Sequence, residues 1–214
     1  IMKTQITTTL LMLLLTFSLL AQQKRNLLEI RFPKETNGYV LLTKRAEAGS
    51  PQKFITLDSA RITNNKYTYH YDHVKEPFMV FMTVHEKDSV PKNIFIVNNY
   101  IRRTVNCVWL DNEQATIEID PQFVLKKQFY AKIKGSITND IQQQLNADMV
   151  EKHKFTSIEH GHIIDFNIIK QNPQNLFLLQ HLNQSKYAYL SLDSLETALQ
   201  LFDNSIKNHS LWIG

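Results

Sequence analysis

Through residues 27–133 the apolar side chains fall at every second position, in short runs set apart by turn residues. Successive side chains of an extended strand point to opposite faces, so this period commits the front of the chain to strands with one buried face each. Residues 27–32 (LLEIRF) place Leu28, Ile30 and Phe32 on one face. Asn37-Gly38 then signals a hairpin, and residues 39–43 (YVLLT) read as the returning strand. Residues 53–57 (KFITL) form a third strand. Asn64-Asn65 marks another turn before residues 66–71 (KYTYHY), where Tyr67, Tyr69 and Tyr71 share one face. Residues 78–84 (FMVFMTV) are almost continuously apolar, the pattern of a central strand. Residues 94–97, 101–109, 116–119 and 129–133 complete the series. Short strands at this spacing predict an antiparallel β-sandwich or a barrel-like sheet.

Near residue 135 the period lengthens to about 3.6, the helical repeat. Ile137, Ile141, Leu145 and Met149 line one helix face, with Thr138 or Asn139 available as a cap. Ile163, Ile164, Phe166, Ile168 and Ile169 form a further apolar cluster, mostly β-branched, leaving helix and strand both open. Asn172-Pro173 has the form of a helix start, with Leu176, Leu179 and Leu182 sharing a face behind it. Asp193 and Glu196 have capping-box spacing ahead of Leu195, Leu199, Phe202 and Ile206. The expected class is therefore α+β. An antiparallel β domain over residues 22–134 precedes a small helical segment over 135–214, packed on it or on a further C-terminal domain.

Ahead of the strands, Lys3 is followed by an uncharged run at residues 10–20 (LLMLLLTFSLL). The run is short for a membrane span but suits a secretory signal peptide over residues 1–21, cleaved after Ala21. With no Cys beside that point, no lipid anchor is expected. Ile1 ahead of Met2 reads as a codon upstream of the true start. The expected location is the periplasm or cell envelope of a Gram-negative bacterium. The formal charge of +4 is too mild to argue for nucleic acid, and basic residues cluster only as pairs such as Arg102-Arg103 and Lys126-Lys127.

Chemistry-bearing patterns are sparse. A single Cys, Cys107, excludes a Cys-x-x-Cys redox site, an internal disulfide and a Cys-rich zinc site. Its apolar strand setting suggests a small core residue. His160 and His162, with Glu159, His153 and Asp165 nearby, are candidate metal ligands, and a metal-dependent enzyme built on that loop is one reading. The competing reading is a solvated polar loop. His70, Asp72 and His73 invite comparison with a hydrolase, yet Ser136 after Gly135 lacks the flanks of a nucleophile elbow. Tyr67, Tyr69 and Tyr71 are candidate binding residues for a glycan or peptide, against the plainer reading that they cover one sheet face. No catalytic residue and no cofactor are expected.

Several segments together resemble a known family. Tyr39-Val40-Leu41-Leu42, Leu57-Asp58-Ser59-Ala60-Arg61-Ile62, Asn65-Lys66-Tyr67-Thr68-Tyr69 and Pro77-Phe78-Met79-Val80 match its strands in order. So do Phe95-Ile96-Val97 and Thr116-Ile117-Glu118-Ile119, although Asn98-Asn99 replace an acidic residue and glycine. Lys134-Gly135-Ser136-x-x-Asn139-Asp140 resembles its entry to the helical part, and Asn172-Pro173 and 191–195 (SLDSL) resemble its later helix starts. The chain thus resembles, over about residues 27–210, the N-terminal domain of unknown function that precedes a thioredoxin-like domain in exported thiol–disulfide oxidoreductases of Bacteroidota. Two departures stand out: the stretch between Asp140 and Asn172 is shorter than the family pattern, and no thioredoxin-like domain follows within the sequence. The resemblance implies a non-catalytic accessory module, truncated before or separate from that domain. Its expected partners are a thioredoxin-like domain in cis or in trans, another protein, or a second copy in a homodimer. The alternative is a stand-alone exported β-sandwich that binds a glycan or peptide.

Overall fold

The computed structural model describes residues 26–34, 36–46, 53–97, 104–125, 127–153, 166–189, 191–210 and 212, with backbone alone at 146–153 and 184–189. Residues 1–21, read above as a signal peptide, lie outside the described residues. Among the described residues ten strands come first: β1 (Asn26–Arg31), β2 (Tyr39–Arg45), β3 (Phe54–Arg61), β4 (Lys66–Tyr71), β5 (Phe78–His85), β6 (Lys92–Val97), β7 (Thr104–Val105), β8 (Cys107–Leu110), β9 (Ala115–Ile119) and β10 (Gln128–Lys134). The α-helices described after them are α1 (Ile137–His153), α2 (Phe166–Gln171), α3 (Leu176–Tyr189), α4 (Leu192–Gln200) and α5 (Asn204–Lys207). The α+β class holds.

The strands make one sheet in the order β3-β2-β5-β6-β10-β9-β1-β4. Strands β7 and β8 fill the fork where β5 and β6 splay, β8 pairing with Phe78–Phe81 of β5 and β7 with the end of β6. The sheet curls into a nearly closed barrel. Its two outer strands, β3 and β4, are joined by a turn in which Asn64 and Asn65 both take positive φ (52° and 58°), the backbone shape hairpin turns favour. Across the remaining seam the Tyr67 hydroxyl donates to Asp58 Oδ2 at 2.7 Å. Most pairings are antiparallel, as expected, but β1 with β9 and β6 with β10 are parallel. Parallel pairs join strands distant in sequence, which local alternation does not reveal.

Leu28, Ile30, Val40, Leu42, Tyr67, Val84, Ile94, Ile117 and Phe129 fill the barrel interior, none more than 1% exposed. A second core lies outside the barrel wall. There Trp109 and Met79, on adjacent strands, meet Ile141, Leu145, Ile168, Ile169, Phe177, Leu178, Leu182, Ala198, Phe202 and Ile206. The Trp109 and Phe177 rings lie 4.8 Å apart. Strand β8 is therefore buried on both faces, Val108 and Leu110 inward and Trp109 outward.

The helical part departs from expectation in detail. Ile137 is 46% exposed, so the apolar stripe of α1 begins at Ile141. The apolar cluster around residue 168 is helix, with Ile168 and Ile169 buried. Asn172 closes α2 rather than opening α3: its Nδ2 donates to the Ile168 carbonyl at 3.0 Å. The start of α3 falls at Leu176, where Asn175 Oδ1 accepts from the Leu178 N–H. Ser191, not Asp193, caps α4, its Oγ accepting from Ser194 N–H at 3.2 Å. A hydroxyl directly before the first turn reaches that donor, whereas Asp193 already lies inside the helix. The expected continuous stripe to Ile206 is broken, and Asp203 caps a separate short helix, α5.

Candidate functional site

The densest polar cluster among the described residues lies where α1 meets the barrel, and the turn leading into the helix sets it up. Gly135 takes φ +89°, and a Cβ there would come within 2.6 Å of the Gln114 carbonyl oxygen. Only glycine suits both the left-handed backbone and that approach. The turn delivers Ser136, Thr138 and Asn139 into the interior, all at most 3% exposed.

Asn139 then acts as a surrogate strand. Its Oδ1 accepts from the Trp109 N–H at 2.9 Å, and its Nδ2 donates to the Trp109 carbonyl at 2.7 Å. One side-chain amide thus satisfies both backbone groups of Trp109 on the edge of β8 that faces away from β5. The same Nδ2 donates to Ser136 Oγ at 2.8 Å, and Ser136 Oγ donates to Asp111 Oδ2 at 2.7 Å. Asp111 Oδ1 accepts from Glu113 N–H, and its backbone carbonyl accepts from the Tyr71 hydroxyl at 2.8 Å. Glu113 Oε2 in turn accepts from the Ile137 N–H at 2.6 Å, one of the open donors of the first helical turn. Asn112 repeats the device nearby: its amide both accepts from the Val74 N–H and donates to the Val74 carbonyl, each at 2.8 Å.

Every member of this network is spoken for by a neighbour. Ser136 is fully buried and donates to a carboxylate, so its hydroxyl fastens the helix turn to the loop after β8. Burial, followed by the charge of Asp111, raises the Tyr71 hydroxyl above its ordinary value. Desolvation likewise raises Asp140.

The sequence candidates are dispersed. Tyr67 and Tyr71 are 1% and 6% exposed on the barrel interior, with Tyr69 half-buried between them and its ring stacked on that of Tyr71 at 5.7 Å. They form an inner wall, not an outward stacking surface; alternation alone does not tell which face of a strand is the wet one. Strand β4 stops at Tyr71, leaving His70, Asp72 and His73 exposed around its end and its following turn. Cys107 is buried in β8, and desolvation pushes its thiol up to about 11 despite an opposing pull from Arg45. His160 and His162 lie outside the described residues, as do Glu159 and Asp165. Among the described residues no three His, Cys, Asp or Glu side chains gather as a metal would need. The sequence does not reveal the fastening network, although Ser136 and Asn139 stand within the Gly135-Ser136-x-x-Asn139 motif.

A family model described as "Domain of unknown function (DUF4369)" matches residues 27–142, just over half of the chain. The chain belongs to the DUF4369 family. No curated protein and no solved structure matches it. The DUF4369 segment runs from the start of β1 to the second turn of α1. It therefore takes in the whole barrel together with Asp111, Ser136 and Asn139, and ends just after the residues that lock the helix to β8. The helices beyond residue 142 lie outside the DUF4369 match.

Proposed function

We propose that this chain is an exported, non-catalytic accessory module whose barrel and helices form one rigid scaffold for a thioredoxin-like domain, in cis or in trans. The fastening of α1 to the barrel carries this reading. Its Ser, Asp, Asn and Tyr are consumed in holding two elements together at fixed geometry, which suits a platform more than an active site. The lone thiol supports it too: a buried Cys with its pKa pushed up to about 11 holds almost no thiolate near neutrality and is a poor exchange partner. The motif resemblance over residues 27–210 supports the choice of partner. Ile137 and Leu192, 46% and 84% exposed, are apolar positions on the helical side open to a partner. The charged start and apolar run of residues 1–21 support export.

The test has two arms. The purified protein is assayed for insulin disulfide reduction in the presence of dithiothreitol, and the expected rate is that of the buffer control. It is then titrated calorimetrically with the thioredoxin-like domain encoded in frame after it or beside its gene, and a 1:1 complex is expected. Turnover by the chain alone, or no heat with that domain, overturns the reading. Mass spectrometry of the periplasmic form, expected to begin at Gln22, checks the export arm.

A further inference from the structure

A row of side chains crosses three strands on the outer wall of the barrel, far in sequence from the helix junction. Tyr39 of β2 pairs with Arg61 of β3 on one side and with His85 of β5 on the other. Since Val40 and Val84 point into the core, their neighbours Tyr39 and His85 point outward. The Tyr39 and His85 rings stack nearly parallel, 6° apart in plane with centroids at 5.0 Å. Arg61 comes from the strand on the far side of Tyr39 from His85. The three residues line an open cleft of about 520 Å³, completed by Ile62, Glu86 and Lys87 among others. The backbone under it is fixed, because Gly38 packs so tightly on β5 that a Cβ would fall 2.3 Å from the His85 carbonyl oxygen.

The charges in this cleft are unequal. Glu86 is held by Lys92 Nζ at 2.7 Å and by the Ser89 hydroxyl, which offsets its charge. Arg61 and Lys87 pair with no carboxylate among the described residues. The cleft thus presents a guanidinium fork, an ammonium and an aromatic ring. The fork suits a carboxylate, which it meets with two parallel N–H donors. The ring suits a flat or C–H-faced body laid against it. Phosphate can meet the same fork but offers no face for the Tyr39 ring, so it serves as the competing ligand in the test.

We propose that this cleft is a binding site for a small monocarboxylate carried on a ring, with Arg61 taking the carboxylate, Tyr39 the ring and Lys87 adding attraction. The site is on the barrel alone and stands or falls independently of the scaffold reading above. The ring belongs either to a sugar acid or to an aromatic acid, and the two are separated by experiment.

The purified protein is titrated calorimetrically at low salt with D-glucuronate, benzoate, D-glucose and inorganic phosphate. One ring carboxylate is expected to bind with a Kd of about 0.1–2 mM, and D-glucose and phosphate at least about tenfold more weakly. Preference for D-glucuronate assigns a sugar acid, and preference for benzoate an aromatic one. Loss of a charge-assisted fork in Arg61→Gln should weaken binding about 10- to 100-fold, and Tyr39→Ala about tenfold. Both side chains are exposed, so thermal unfolding followed by circular dichroism should be little changed; Lys87→Gln supplies a second, milder variant. Lys44→Gln, on β2 but outside the cleft, should bind as the parent does. The proposal is overturned if neither ring carboxylate binds below about 20 mM, if phosphate binds equally well, or if Arg61→Gln and Lys87→Gln leave the affinity unchanged.

Discussion

Replacing Asn139 by Ala removes the amide that pairs with both backbone groups of Trp109 and leaves them buried without partners. An unmet buried donor or acceptor costs about 1–3 kcal/mol, so two such groups, partly relieved by local relaxation, should cost about 3 kcal/mol. For a chain of this size, each kcal/mol moves the melting temperature by roughly 2–4 °C, so the variant should melt about 6–12 °C lower. Thermal unfolding is followed by far-ultraviolet circular dichroism and by tryptophan fluorescence, since Trp109 sits at the joint. Asn139→Asp sharpens the test. It keeps the acceptor for the Trp109 N–H but sets a carboxylate oxygen against the Trp109 carbonyl, so near neutrality it should be no more stable than Asn139→Ala. Its native pKa is then raised, the folded state holds a proton the unfolded state has released, and its deficit should shrink as pH falls from that raised value to the ordinary Asp value. A protonated acid regains one donor and mimics the amide. If Asn139→Ala melts within about 2 °C of the parent, or if Asn139→Asp shows no relative recovery in acid, the surrogate-strand account is wrong.

Gly135→Ala should cost about 1–3 kcal/mol, because a side chain at φ +89° is strained and its Cβ meets the Gln114 carbonyl; urea unfolding midpoints measure this. Tyr67→Phe should cost about 1 kcal/mol by breaking the Tyr67–Asp58 seam, with faster amide exchange expected along β3. Stability should also decline in alkali. The folded pKa values of Cys107, Tyr67 and Tyr71 all lie above their ordinary ones, so the unfolded chain releases protons first, and the contribution is lost as pH rises past about 9. Unfolding midpoints at pH 7, 9 and 10.5 check this. With its thiol pushed up to about 11, Cys107 should react with Ellman's reagent at pH 8 at least about 100-fold more slowly in the native protein than in urea.

The barrel is largely legible because most of its strands keep a period of two: Leu28, Ile30 and Phe32 alternate in the sequence and are buried in the fold. What alternation leaves open is which strands pair across long separations, so the parallel contacts of β1 with β9 and β6 with β10 were not foreseen. The observed helix caps Ser191 and Asn175 lie two or three residues from the positions the pattern favours, because Asn, Ser and Asp crowd those segments and each satisfies the local pattern. Beside Thr138, Asn139 is by position one of two candidate helix caps. Its bond to a strand 30 residues earlier depends on the docking of α1, which no local window contains. The Tyr39–Arg61–His85 row was hidden for the same reason, since its members are neighbours by register across three strands.

The Trp109–Asn139 bond also orders events in time. A chain made or exported from its N-terminus completes β8 before Asn139 emerges, 30 residues later. Until then the outer edge of β8 is bare, and bare edges recruit whatever strand is near, including that of another copy. The first turns of α1 therefore act as the last stave of the barrel: any expression boundary drawn between Gly135 and Asn139 would release a sticky intermediate, whereas one drawn past the end of the DUF4369 match at residue 142 would carry its own stopper.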